Sequence, residues 1–422
     1  MALTALLVHE RYTQPGGEDV AYEADAALLE AAGHRVVRYE RHNDEIATMG
    51  PGQRLLLPSR TVWSPSSARA FGQRLDEVRP DVVHLHNTFP LLSPSLAMAA
   101  HRRAVPVVQT VQNLRLVCAQ GLCTRDGLPC HDCLDLGSPW PALRHACYRG
   151  SRAQTAVVVA WQAAQRVAEH RRQPVSLYLP VSAYVRDQLV AQGAVPAGRT
   201  MVRHNHVPDP GARRPADDEG VLVFCGRVVR DKGVDVLVRA AAMAPAARIV
   251  IVGGGPDLPA MAELSERHGA TNVTFTGPLT RAEALAHVRR ARCVVAPSVC
   301  EDPNPLSLIE AAALGVAAIA TTSGGIPEIV GDTGMLCPPA DAEALSAALA
   351  DAAGDATGWA GRGLAARARY EMHFSATRAY EVLLDAYRRA GVRDAAATAE
   401  QPEVSPATGP TARPGPGAVA AR

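Results

Sequence analysis

Short apolar runs alternate along the chain with longer stretches in which apolar residues recur at helical spacing, a pattern typical of parallel α/β units. The first apolar run, 3–8, predicts a buried strand. Gly16 and Gly17 then precede a helical stretch over 18–32, and Gly33 is expected to end that helix. Further strands of this half are predicted at 36–39, 82–86, 105–110 and 176–181.

The segment 206–220 interrupts the alternation, because it is rich in Pro, Gly, Asp and Arg and carries no periodicity. We therefore predict an N-terminal domain over 1–205, a linker over 206–220 and a C-terminal domain over 221–363. Terminal helices are expected over 364–392 and a disordered tail over 393–422. The second domain has predicted strands at 221–224, 248–252, 273–276, 293–296 and 317–320, and a helix at 234–243.

Composition narrows the class of protein. Of 422 residues, 43 are basic and 42 acidic, which gives a net charge of +1, and aromatic residues make up only 4%. Neither a broad positive surface nor much material for stacking on bases is present, so we expect no nucleic-acid partner.

The pattern also predicts a cytoplasmic protein. Residues 1–8 are apolar but lack a basic start, and no apolar run reaches the roughly 18 residues that a membrane-spanning helix needs. In a reducing compartment the nine cysteines are expected to be thiols or metal ligands rather than disulfides.

Lys232 is the only lysine, and the other 42 basic residues are arginines. It follows Arg227 in 224–233, where an apolar strand passes through a glycine turn into a helix. Anionic ligands bind at this edge of open α/β sheets, at strand carboxyl ends and helix N-termini. Two cations here suit a diphosphate, and one retained ammonium favours a specific contact. Two solvated side chains on a surface turn are the alternative.

A second candidate segment is 301–315 (EDPNPLSLIEAAALG), in which Asn304 is predicted to cap a helix whose first residue is Pro305. Asp302 would precede this helix and Glu310 would lie in its second turn. The free amides could then bind phosphate while the carboxylates accept sugar or ribose hydroxyls. Capping together with one glutamate favoured by the helix dipole explains the segment equally well.

Two glycine pairs follow apolar strands, Gly324-Gly325 in the second domain and Gly16-Gly17 in the first. A glycine permits close approach of the backbone to a ligand, although ordinary turns use glycine as well.

Taken together, these segments resemble the retaining glycosyltransferases of family 4 over roughly residues 1–390. The resemblance implies an α/β protein of GT-B architecture, in which two Rossmann-like domains face each other across a cleft and C-terminal helices return toward the N-terminal domain. The matching motifs are Gly226-Arg227, Lys232-Gly233, 252–256, Asp302 with Glu310, 324–328, Gly334, Gly16-Gly17, Gly33-His34 and 81–86.

The resemblance implies transfer of a hexose from a nucleotide-diphosphate sugar to an acceptor hydroxyl, with retention, in glycan, glycolipid or secondary-metabolite biosynthesis. No cofactor would be required. Arg227 and Lys232 would hold the diphosphate, and Glu310 would bind the ribose. The donor site would further include Gly16, Gly17, Asp302, Gly324 and Gly325, and the catalytic set would be Asp302, Gln112, Arg227 and Lys232.

Two positions depart from the family pattern. Asp302 stands where the family has a longer glutamate that contacts the donor sugar, and Glu301 beside it could compensate. Gln112 stands where related enzymes often carry a histidine. Glutamine can bind a hydroxyl but cannot titrate near neutral pH. Because of both departures, an alternative hypothesis remains: the chain has the same fold but is a non-catalytic nucleotide-sugar-binding or regulatory partner.

Five of the nine cysteines fall in a turn-rich insertion over 118–147. Cys130 and Cys133 form a C-x-x-C pair, and with Cys118 and Cys147 they could bind a structural zinc. Reduced thiols packed as small apolar groups are the alternative.

Glycans, lipid-linked molecules and small molecules are all compatible with the sequence as acceptors. Arginines around the apolar stretch 156–164 suggest a peripheral contact with the inner face of a membrane, for which a solvated helix face is the favoured alternative. His84, His86 and Trp63 are expected in the acceptor cleft or in the core. A nicotinamide-dependent oxidoreductase would need G-x-G-x-x-G after a strand, a pattern that 16–18 and 253–256 lack.

Overall fold

The structure is a computed structural model that describes residues 2–13 and 16–393. The predicted disordered tail therefore lies outside the described residues, apart from Arg393. Among the helices described, none combines the length and apolar character needed to cross a bilayer.

The N-terminal domain is built on a parallel five-stranded sheet with the order β2-β1-β3-β4-β7, and β5 and β6 form a separate antiparallel ribbon. Its strands are β1 (Thr4–Arg11), β2 (Arg35–His42), β3 (Val82–Leu85), β4 (Val107–Val111), β5 (Thr124–Arg125), β6 (Leu128–Pro129) and β7 (Leu177–Pro180). Its helices are α1 (Gly17–Ala31), α2 (Glu45–Thr48), α3 (Pro51–Val62), α4 (Pro65–Val78), α5 (Ser95–His101), α6 (Asp132–Asp135), α7 (Trp140–His145), α8 (Arg152–Arg172) and α9 (Ala183–Ala191).

The C-terminal domain has a parallel six-stranded sheet with the order β10-β9-β8-β11-β12-β13. Its strands are β8 (Val221–Cys225), β9 (Arg248–Val252), β10 (Val273–Gly277), β11 (Ala291–Ala296), β12 (Ala317–Thr321) and β13 (Met335–Cys337). Its helices are α10 (Val234–Met243), α11 (Leu258–Arg267), α12 (Arg281–Arg290), α13 (Leu306–Leu314), α14 (Ile326–Val330) and α15 (Ala342–Gly354), followed by α16 (Ala356–His373) and α17 (Ala376–Arg389).

The last helix returns to the N-terminal domain, as the resemblance implied. Its apolar face packs with β1 and α1 in one buried cluster. Two tyrosines anchor it, since the Tyr387 hydroxyl lies 2.9 Å from Nδ1 of His84 and the Tyr380 hydroxyl lies 2.8 Å from Nε2 of His34. The C-terminal chain therefore ties the two domains together, and it runs beside their linker, because the Tyr370 hydroxyl donates to the Val207 carbonyl oxygen over 3.0 Å.

The order of the strands in the two sheets indicates where a ligand would bind. β1 lies between β2 and β3, and β8 lies between β9 and β11, so the chain reverses its direction of winding at these two strands. The crevice outside the carboxyl ends of strands at such a switch point is where ligands bind in open α/β sheets. Gly16 and Gly17 follow β1, and Arg227 and Lys232 follow β8, so both motifs lie at switch points.

Candidate functional site

A cleft of about 770 Å³ lies between the two domains. Residues of both domains line it, and they include six of those proposed from the sequence: Gly16, Gly17, Gln112, Arg227, Lys232 and Asp302.

Lys232 and Asp302 form an ion pair within this cleft. Lys232 ends a short 3₁₀ turn over Arg230–Lys232, and Gly233 follows with φ +70°. A Cβ on Gly233 would lie 1.9 Å from the carbonyl oxygen of Pro297, so only glycine fits there. Burial alone would lower the pKa of Lys232, but the Asp302 carboxylate outweighs it and the pKa lies above its ordinary value. The ammonium is therefore charged at neutral pH.

Arg227 lines the same cleft with an exposed side chain. Within residues 2–13 and 16–393 its guanidinium forms no ion pair, whereas Lys232 is held by Asp302. The cleft thus offers one free and one paired cation at the end of β8.

The loop of Asp302 rests on the second glycine pair. A Cβ on Gly324, whose φ is +58°, would lie 2.5 Å from the carbonyl oxygen of Asp302, and one on Gly325 would lie 2.0 Å from that of Pro303. The Gly325 N–H donates to the Asp302 carbonyl oxygen over 2.9 Å. These glycines permit close approach of protein backbone, and neither lines the cleft, so their predicted contact with the donor stays a prediction.

Glu310 lies on α13 outside the cleft lining, where Arg281 donates to its Oε1 over 2.6 and 3.0 Å. Burial raises the pKa of this carboxyl although Arg281 opposes the shift. Its proposed bond to ribose would therefore compete with Arg281.

The predicted cap of α13 is wrong. Asn304 does not cap the helix, which begins at Leu306 with Pro305 at the cap position. The Asn304 side-chain oxygen instead accepts the backbone N–H of Asn205 over 3.0 Å. The Asn304 side chain thus binds the N-terminal domain, and α13 has no side-chain cap.

Asn205 extends this contact to Gln112. Gln112 Nε2 donates to Asn205 Oδ1 over 2.9 Å, and Asn205 Nδ2 donates to Gln112 Oε1 over 3.1 Å. Gln112, Asn205 and Asn304 therefore link the end of β4, the end of the N-terminal domain and the loop between β11 and α13. We call this loop, which carries Glu301 and Asp302, the acidic loop. The sequence indicated Gln112 but not Asn205, because the partners of Asn205 lie far away in the chain.

At the opposite wall, Gly16 and Gly17 lie at the N-terminus of α1. The Gly16 N–H donates to Asp19 Oδ2 over 2.8 Å, and Asp19 Oδ1 lies 3.0 Å from Nε2 of His9. Part of this helix N-terminus is therefore already satisfied by Asp19, and Gly17 faces the cleft with an exposed backbone.

The N-terminal wall also carries residues that the sequence did not reveal. Glu18 accepts hydrogen bonds from the Tyr12 hydroxyl over 2.9 Å and from Asn113 Nδ2 over 2.5 Å. Arg115 and Arg149 line the cleft close to the Tyr148 ring, and in the described part of the chain neither forms an ion pair. Glu18 lies in the first turn of α1 and the others lie in separate loops, so no spacing in the sequence indicates that they form one surface.

His84 and His86 belong to the interior. Both are buried, and burial lowers the pKa of His84 to about 4 and that of His86 well below its ordinary value. Their side chains cluster with Asp25, but Arg203 binds both Asp25 oxygens over 2.9 and 2.6 Å. A cation already occupies this carboxylate, so the cluster is structural. Trp63 follows α3 and does not line the cleft.

The four sulfurs proposed for zinc are neighbours within the insertion, but they are not among the groups of mutually close ligand atoms in the described residues. Over residues 2–13 and 16–393, two groups of three or more ligand atoms lie within 4.8 Å of one another, Asp25–His84–His86 and Cys123–His131–Glu301. The Cys118 thiol lies beside that of Cys123. This contact and nearby backbone N–H groups lower the pKa of Cys118 to about 6 although burial opposes the shift. The predicted contact of the region around 156–164 with a membrane stays a prediction.

Two family models match the chain. Residues 16–206 match the model described as "Glycosyl transferase 4-like domain", and residues 219–355 match the one described as "Glycosyl transferases group 1". The two matches meet near the predicted linker.

Curated relatives carry glycosyltransferase names. The "D-inositol 3-phosphate glycosyltransferase" of Mycobacteroides abscessus is 39% identical over 182 residues, which are 41% of this chain and 40% of the relative. The protein of the same name from Mycobacterium tuberculosis is 30% identical over 331 residues, 74% of this chain and 62% of the relative. The chain thus spans less than two thirds of the length of these relatives.

Among solved structures, Anabaena HepE in complex with UDP superposes with a TM-score of 0.65 at 17% identity, over 91% of this chain and 99% of HepE. HepE has also been solved with UDP-glucose, with a TM-score of 0.63 at 16% identity over 91% of this chain and 98% of HepE. The likeness shows the same arrangement of two facing α/β domains.

Proposed function

Because the chain belongs to the glycosyltransferases of GT-B architecture, with a 4-like domain followed by a group 1 domain, we propose that it transfers a sugar from a nucleotide-diphosphate sugar to an acceptor hydroxyl. The observation that carries the proposal is the pair of cations at the end of β8, Arg227 and Lys232, facing the N-terminus of α1 across the cleft. A diphosphate between them would meet charge from one domain and helix amides from the other.

We propose UDP as the nucleotide and a hexose as the sugar. HepE, which shares the fold, is solved with UDP and with UDP-glucose, and this supports the choice. Arg227 has no competing carboxylate among the described residues and would bind the diphosphate first. Lys232 would then exchange Asp302 for a phosphate oxygen or bridge the two.

In the proposed reaction, the bond from the anomeric carbon to the diphosphate breaks and its electron pair leaves with the diphosphate. Arg227 and Lys232 stabilise the charge that develops there. The acceptor oxygen forms the new bond on the same face and passes its proton to the leaving phosphate, so the configuration is retained.

We further propose that the acceptor carries an anionic group. Arg115 and Arg149 present guanidinium groups on the N-terminal wall, opposite the donor side, without carboxylate partners in the described chain. Arginine binds phosphate and carboxylate through paired hydrogen bonds. The names of the curated relatives, which include inositol 3-phosphate, are in keeping with such an acceptor.

The first test is thermal denaturation with UDP, GDP, ADP and TDP, followed by a UDP-release assay with UDP-glucose and inositol 3-phosphate. UDP at a hundredfold excess over its dissociation constant should stabilise the protein by about 2.7 kcal/mol. NMR of the product should show the anomeric configuration of the donor.

The outcomes separate the proposals. Stabilisation by UDP without transfer to any acceptor would favour the non-catalytic partner. Transfer with inversion would reject only the retaining mechanism. No stabilisation by any nucleotide would reject the donor site itself.

A further inference from the structure

Three side chains from distant parts of the chain meet at one edge of the cleft. Cys123 lies in the cysteine-rich insertion, His131 precedes α6 in the same insertion, and Glu301 belongs to the loop after β11 in the C-terminal domain. One ligand atom of each lies within 4.8 Å of the other two. We propose that these residues bind a zinc ion that joins the insertion to the acidic loop of the opposite domain.

The imidazole of His131 gives the first argument. Its Nε2 lies 2.7 Å from Oε1 of Glu301 and is buried, yet the angle does not make a hydrogen bond and no other partner satisfies it in the described residues. A buried nitrogen without a partner is costly. Zinc bound to both atoms would satisfy them, with the two side chains moving apart to the roughly 3.3 Å that separates two ligands of a tetrahedral zinc ion.

The chemistry of the three groups gives the second argument. Thiolate, imidazole and carboxylate are the side chains that bind Zn²⁺ in proteins. Cys123 is 1% exposed and Glu301 lies under the Tyr184 hydroxyl, which donates to its Oε2. This hydrogen bond would orient the carboxylate, as partners behind metal ligands commonly do.

The fourth position has a candidate within the insertion. The Cys118 side chain is a neighbour of that of Cys123, and both belong to the same packed cluster, so Cys118 is a candidate for the further sulfur. The site therefore differs from the four-cysteine set suggested by spacing, because it uses Cys123 and borrows Glu301 from the other domain. Cys133 and Cys147 have no part in it.

A metal at this place would act on the cleft. Glu301 is the neighbour of Asp302, which holds Lys232. Zinc bound to Glu301 would fix this loop against the N-terminal domain and hold the two walls together. The ion would serve as a tether, and no step of sugar transfer needs to pass through it.

The test measures bound metal directly and is independent of glycosyl transfer. The full chain is incubated with Zn²⁺, desalted and analysed for zinc per chain, for wild type and for Cys123→Ser, His131→Gln and Cys147→Ser. We expect one zinc in wild type and in Cys147→Ser, and at least a tenfold loss in Cys123→Ser and His131→Gln.

Cobalt substitution adds a readout of the ligands. The intensity of the thiolate-to-cobalt absorption scales with the number of sulfur ligands, so one or two sulfurs are expected rather than four. If a serine variant fails to fold, Glu301→Gln takes its place, because it keeps the size of the side chain and removes the charge. A wild type that binds no zinc would overturn the proposal. So would loss of zinc in Cys147→Ser with retention in Cys123→Ser.

Discussion

Lys232 and Asp302 form an ion pair in the cleft although 70 residues separate them in the chain. Lys232 follows β8 and Asp302 follows β11, and these two strands are neighbours in the sheet. The sheet order therefore creates the pair, and it leaves the cation where a diphosphate would bind.

Replacing Lys232 with alanine should weaken UDP binding about 10- to 100-fold, because a hydrogen bond to a charged group contributes about 1.5–3 kcal/mol. Isothermal titration calorimetry with UDP measures the change. Arg239→Ala is the control, since it also removes an ion-paired cation of this domain, but from an exposed pair with Asp235. Equal UDP affinity in wild type and Lys232→Ala would contradict the assignment.

Replacing Asn205 with alanine should lower the free energy of unfolding by about 1–3 kcal/mol, because the Gln112 amide loses both of its bonds to the Asn205 side chain and the Asn304 carbonyl oxygen loses the Asn205 Nδ2 donor. The backbone N–H of residue 205 still donates to Asn304 Oδ1. It should also slow sugar transfer, since Gln112 faces the cleft. Urea denaturation and a UDP-release assay measure the two effects. Asn272→Ala removes three hydrogen bonds to backbone carbonyls outside the cleft lining. This control should lose stability while UDP affinity stays the same.

Replacing Gly325 with alanine should destabilise the protein by about 1–3 kcal/mol, the usual cost of forcing atoms into a packed interior. The new Cβ would lie 2.0 Å from the carbonyl oxygen of Pro303 and 2.9 Å from Cβ of Ser182. UDP affinity should fall as well, because the loop of Asp302 must shift. Gly361→Ala, in an open position of α16, should leave both properties nearly unchanged. Equal melting temperatures for the two variants would count against the packing argument.

Glu10 should make stability depend on pH. Burial raises the pKa of this carboxyl to about 8, although Leu92 and Leu91 donate N–H groups to it. The unfolded chain ionises near the ordinary value of 4.5. Between these values the folded state holds one more proton, so the free energy of unfolding falls as pH rises, by about 5 kcal/mol at most.

Urea denaturation at pH 5 and pH 8 checks the effect of Glu10, with Glu10→Gln as the variant and the exposed Glu266→Gln as control. Glu10→Gln should reduce the loss of stability between the two pH values, whereas Glu266→Gln should keep the wild-type slope. A slope unaffected by Glu10→Gln would show that this carboxyl does not titrate in that range.

Replacing Arg115 or Arg149 with alanine should raise the KM for inositol 3-phosphate about tenfold or more, because the acceptor phosphate would lose a charged hydrogen-bond donor. The KM for UDP-glucose should stay constant, since both arginines lie on the opposite wall. Arg152→Ala, an exposed cation three residues after Arg149, is the control. A rise in the KM for the sugar donor would place these arginines at the donor instead.

Local patterns predicted the sheets well. The predicted helix over 234–243 and strand over 248–252 agree with α10 and β9 to the residue, because buried parallel strands are continuous apolar runs bounded by turns. Gly33 has the expected left-handed φ of +78° after α1. The helices between β2 and β3 were missed, since α3 is largely exposed and contains Pro58, which weakens the helical pattern.

The sequence alone determined the order of the α/β units and which residues stand at the ends of β1, β8 and β11, because these features depend on near neighbours in the chain. Only the tertiary structure decided the partners. Pairing of β8 with β11 brought Lys232 to Asp302. Contact between the domains brought Asn205 to Asn304 and Glu301 to His131. Such contacts join segments that lie far apart in the chain, so no spacing within one segment can encode them.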